Sequence, residues 1–170
     1  MRRFISVVIF IAFTVATASA QGISGSIEEI IHRANDISGE QLGPGVQEIT
    51  NGNCAVQSII GDAFFGKFSN AIDNAIKSYE SGGSALLQKA DSPAFARRVN
   101  MQGWRYSDLG LSSVKTRGDL VRILAQLTLS MAADLKAAKE GHDADALERV
   151  LANSAKSTRL ILAIIDIPLA

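Results

Sequence analysis

Apolar residues recur along most of this chain at steps of three and four, the period of a helix that buries one face. The N-terminal part is different. Phe4 to Val15 is an almost unbroken apolar run behind the basic start Met1-Arg2-Arg3, and the small residues Ala18-Ser19-Ala20 close it. That order is the pattern of a secretory signal peptide cleaved before Gln21. The expected organisation is a signal segment over 1–20 and one helical domain over 21–170.

Ser26-Ile27-Glu28-Glu29 has the form of a capping box, and Ile27, Ile30, Ile31, Ala34 and Ile37 follow it. The spacing predicts a helix from about Ser26 to Ile37. Gly39, Gly43, Pro44 and Gly45 then predict a loop ending near Thr50-Asn51-Gly52-Asn53. Asn53 is the expected N-cap of a long second helix. Its stripe runs through Val56, Ile59, Ile60, Ala63, Phe64, Phe68, Ala71, Ile72, Ala75, Ile76 and Tyr79. Gly61 and Gly66 read as thin points where another helix crosses. Ser81-Gly82-Gly83-Ser84 reads as the stop, with a short helix over Ser84 to Lys89.

Asp91-Ser92-Pro93 reads as a cap with proline in the first turn, opening another short helix from Ala94 to Met101 with Phe95 and Val99 inward. Gly103 to Ser113 is expected to be irregular, with Trp104, Tyr106, Leu109 and Leu111 plugging an end of the bundle. Thr116-Arg117-Gly118-Asp119 is a second start signal, and the stripe from Leu120 to Ala138 carries a helix to about Glu140, with Gly141 at its C′ position. Asp143 caps the last helix, whose Leu147, Val150, Leu151, Ser154, Thr158, Ile161, Leu162 and Ile165 share a face. The short connection Gly141-His142 predicts an antiparallel helical hairpin. The predicted fold is all-α, one bundle of five or six helices.

Composition agrees with that picture. There are only 3 prolines, and aromatic residues make up 6% of the chain. Lys+Arg and Asp+Glu balance at 17 each, and loss of Arg2 and Arg3 with the signal leaves the remainder slightly acidic. Such a surface lacks the basic face that nucleic acid or anionic lipid requires. The single cysteine excludes a disulfide within the chain, so packing must hold the domain together. No Asn-x-Ser/Thr occurs, so no N-linked glycan is expected.

Cys54 is the first candidate for chemistry. An odd cysteine in an exported chain points to a link between chains, to a free thiol, or to a small buried hydrophobe. At a helix start, unpaired amides would also favour the ionised thiol. No histidine signature beside it supports a cysteine nucleophile. His32 and His142 stand apart in the sequence, outside any His/Cys array, so no metal is expected. His32 is read as lying on a polar face and His142 as satisfying helix-end carbonyls. Gly22-Ile23-Ser24-Gly25 is a poor phosphate loop, because no strand precedes it. Arg97-Arg98, Lys136, Lys139 and the scattered carboxylates read as solvated faces. No cofactor and no catalytic group is expected.

Leu160-Ile161-Leu162-Ala163-Ile164-Ile165 is apolar around the whole helix, yet Arg159 and Asp166 make it too short to span a bilayer. Its bounding residues and short spacer also argue against a lipid-anchor signal. Two readings stand: a core helix, or a helix whose Leu160, Ile161, Ile164 and Ile165 face a partner. An apolar cavity between helices is a further reading, with Phe64, Phe68, Met101, Trp104 and Met131 as its lining.

The segment Asn53-Cys54-Ala55-Val56-Gln57-Ser58-Ile59-Ile60, together with the signal peptide and the lone cysteine, resembles the terminal domains of spider silk proteins. The likeness covers under a tenth of the chain, and the Ser/Ala/Gly-rich repeats of silk are absent. It implies a secreted helical bundle that dimerises in fibre assembly, with Cys54 as the link between chains. The resulting expectation is a secreted, extracellular, non-enzymatic protein acting by self-association or by binding another secreted protein. The alternative is an extracellular carrier of small apolar ligands. The sequence does not separate a bacterial periplasm from a eukaryotic secretory route.

Overall fold

A computed structural model of the chain describes residues 27–37, 42–64, 70–102, 106–141 and 143–170. The signal segment and Gly22 to Ser26 lie outside them. The chain divides into residues 1–30, whose described part is the opening of a helix, and a compact unit over Ile31–Ala170. The described residues form five α-helices: α1 (Ile27–Asp36), α2 (Gly43–Phe64), α3 (Ala71–Lys89), α4 (Arg117–Gly141) and α5 (Ala144–Asp166). Two 3-10 turns, Pro93–Phe95 and Ser107–Leu109, lie between α3 and α4. The fold is an all-α bundle.

Local capping chemistry sets the two C-terminal helices. At the start of α4, the Asp119 amide donates to Thr116 Oγ1 at 3.1 Å, while Asp119 Oδ2 accepts from the Thr116 amide at 2.8 Å and the Lys115 amide at 2.9 Å. Amides that a helix leaves without intrahelical partners are thereby satisfied. Asp143 caps α5 by accepting from the Ala146 amide at 3.1 Å. The two helices touch at Arg149 and Asp134, 2.8 Å apart, and Arg117 Nη2 of α4 donates to the carbonyl of Ile167, just past α5, at 3.5 Å.

The first half of the bundle departs from the sequence reading. The loop expected up to Asn53 is helical from Gly43, so α2 begins ten residues before the expected cap. Pro44 is tolerated because it sits in the first turn, where its missing N–H is no loss. A distant residue completes the start: the Gly43 amide donates to Asn35 Oδ1 of α1 at 3.0 Å. The single long helix expected to Tyr79 is two helices, α2 ending at Phe64 and α3 opening at Ala71. Gly66 lies outside the described residues.

Ser81 to Ser84 does not end α3, which runs on to Lys89. Its glycines face neighbours on two sides. A Cβ on Gly82 would stand 2.9 Å from the Gly45 carbonyl oxygen of α2, and one on Gly83 would stand 2.8 Å from Leu129 Cγ of α4. Close helix approach, and not chain termination, is what these glycines serve. The short helix expected over Ala94 to Met101 is also absent. Arg98 and Val99 instead bridge to Thr116 and Leu169, with the Val99 amide donating to the Lys115 carbonyl at 3.0 Å and the Asn100 amide to the Pro168 carbonyl at 2.9 Å. Phe95 is buried as expected, and Tyr106 and Leu111 are buried in the irregular segment.

Each of α2, α3 and α4 packs on the helix that follows it, and α2 also touches α5. Val56 and Ile59 of α2, Ala75, Ile76 and Tyr79 of α3, Met131, Ala132 and Leu135 of α4 and Val150 of α5 form one core cluster.

Candidate functional site

The structure draws together residues that the sequence reading kept apart. Asn53 lies mid-way along α2, buried, and not at a helix start. Its carboxamide joins three helices. Tyr79 of α3 donates its hydroxyl hydrogen to Asn53 Oδ1 at 2.8 Å. Asn53 Nδ2 donates to Ser157 Oγ at 3.1 Å and Thr158 Oγ1 at 3.3 Å, both on α5. Ser157 in turn donates to the Ser154 carbonyl at 2.8 Å. The amide thus finds partners for both ends, as a buried polar side chain must. Burial pushes the Tyr79 phenol well above its ordinary range; a hydrogen bond with Ser154 opposes this in part, and nearby Cys54 adds to it.

Cys54 is the next residue on α2. It is a free, exposed thiol. The helix-start setting expected for it is absent, because α2 begins at Gly43. What remains is accessibility. Among its neighbours on the helix surface, Asn51, Gln57 and Ser58 are exposed as well.

On α5, the core-helix reading fits the burial better than the partner-face reading. Leu160, Ile161 and Ile164 are buried within the chain itself, and Ile165 is half-buried. An all-round apolar helix sits where neighbours cover most of its circumference. Of the proposed cavity lining, only the Met101 and Met131 side chains are described. Met131 is fully buried in the core cluster, and Met101 is half-buried. The Phe64 side chain, Phe68 and Trp104 lie outside the described residues. A shallow cleft of about 330 Å³ lies elsewhere, lined by Arg33, Asp36, Ile37, Arg117 and Ile165.

The charged residues of that cleft have partners within the chain. Arg33 meets Asp166 at 2.6 Å, and Asp36 meets His32 at 2.9 Å. Arg117 is buried, and burial together with the positive charge of Arg97 lowers its guanidinium from the ordinary arginine value. His32 is exposed, as its place on a polar face implied, and His142 lies outside the described residues. Among the described residues no group of His, Cys, Asp and Glu could hold a metal ion.

Sequence reasoning missed the Asn53 network because it placed Asn53 at a cap. A signal for the correct placement exists: Val46, Ile49, Asn53 and Val56 continue the α2 stripe backwards at steps of three and four. Arg117 was read only as part of a start signal, and nothing local marked its burial.

Among the described residues, many of the charged side chains expected on solvated faces are paired between elements. Lys139 reaches Asp73 and Lys136 reaches Glu80, both from α4 to α3. Arg122 joins Asp91, and Arg159 meets Asp108 at 2.7 Å. No helix among the described residues is long and apolar enough to cross a membrane. No family model, curated protein or solved structure matches the chain.

Proposed function

We propose that this chain is a secreted, non-enzymatic helical protein that works by self-association, as a silk-type or other extracellular assembly component, with a second secreted protein as the other partner class. One observation carries the reading: its single cysteine, Cys54, is exposed on a packed helical bundle. A thiol on the outer surface of a helix is open to the same thiol of a second copy. Two Cys54 thiols would lose two protons and two electrons to a small-molecule disulfide, which leaves as two thiols, and one Cys54–Cys54 bond would form. Secretion rests on the signal pattern of residues 1–20 and supplies the oxidising surroundings in which such a bond persists. The carrier alternative gains no specific support, since Met131 is packed in the core and the described cleft is shallow.

The test is size-exclusion chromatography with light scattering on secreted protein, with and without reductant, beside Cys54→Ser. A dimer that reductant and Cys54→Ser both abolish is the expected result. A strict monomer over a wide concentration range under oxidising conditions overturns the proposal. Mass spectrometry of the secreted product should place its first residue at Gln21.

A further inference from the structure

We draw no further inference here: the strongest candidate, the shallow cleft lined by Arg33, Asp36, Ile37, Arg117 and Ile165, carries nothing because its charged groups already meet partners within the chain, Arg33 at Asp166, Asp36 at His32 and Arg117 at the Ile167 carbonyl, and nothing in the structure shows a ligand entering it.

Discussion

At the scale of single residues, the Asn53 carboxamide is the most exacting feature of the molecule. It joins α2 to Tyr79 of α3 and to Ser157 and Thr158 of α5. Replacing it takes the Asn53 acceptor from the buried Tyr79 hydroxyl, and a buried unsatisfied group costs about 1–3 kcal/mol. Asn53→Ala is therefore expected to destabilise the chain by roughly 2–4 kcal/mol, including the space it vacates. Tyr79→Phe removes one hydrogen bond and is expected to cost about 1 kcal/mol. Urea unfolding at neutral pH checks the order. The two tyrosine forms also differ at alkaline pH. The Tyr79 phenol is raised when folded, against 10.0 when unfolded. Its contribution to stability is complete below pH 10 and is lost as the pH rises from there toward the folded value, because only the unfolded chain ionises in that window. Tyr79→Phe should flatten that part of the stability-against-pH curve; an unchanged slope would show that the phenol is not buried. Cys54→Ser, on the exposed side of the same helix, should change stability by no more than about 0.5 kcal/mol.

At the scale of elements, two kinds of information place the helices. Thr116 and Asp119 show the local kind. Burial works against ionisation of Asp119, but hydrogen bonds from the Lys115 and Thr116 amides and the Thr116 side chain, with Arg122 nearby, outweigh it and hold the carboxyl below 3.8. The stabilisation is present above that value and is lost as the pH falls through the lower folded value. Asp119→Ala should cost about 1 kcal/mol at pH 7, and the loss should vanish in strong acid. Gly82 shows the non-local kind. Glycine within a helix costs about 1 kcal/mol relative to alanine, so propensity favours Gly82→Ala. A methyl group there would stand 2.9 Å from the Gly45 carbonyl oxygen and force α2 and α3 apart. The expected net result is a destabilisation of about 1–3 kcal/mol. Gly141 is the control, because a Cβ there meets nothing within 4 Å. Gly141→Ala should gain about 0.5–1 kcal/mol. Thermal unfolding of the pair reads both signs, and a stabilising Gly82→Ala would disprove the close approach.

At the scale of the whole molecule, the apolar core and not the surface charge carries stability. Lys139–Asp73 and Lys136–Glu80 join α3 and α4, but their side chains are about half exposed. Pairs of that kind contribute about 0–1 kcal/mol each and are screened by salt. Leu135 is fully buried in the cluster that unites α2, α3, α4 and α5. Leu135→Ala should cost about 2–5 kcal/mol. Lys139→Ala should cost less than about 1 kcal/mol, and the difference from wild type should disappear in 1 M salt. If the lysine change proves the larger of the two, the account of the core is wrong.

The all-α class and the positions of α4 and α5 were legible from the sequence because they depend on neighbours in the chain. Thr116, Asp119 and Asp143 satisfy amides within four residues, and the stripes behind them repeat every three or four positions. The limits of α2 and α3 were not legible. Gly43, Gly45, Gly82 and Gly83 carry a local penalty that reads as a break, and the compensating contacts, such as Asn35 to Gly43 and Gly45 to Gly82, join different helices. The same holds for the candidate site. Sequence identified Cys54 as the one thiol, but its exposure, the burial of Asn53 beside it and the burial of Leu160, Ile161 and Ile164 depend on which face each helix turns toward the others. A local pattern fixes the period of a helix; only packing decides where it begins and how much of its circumference is covered.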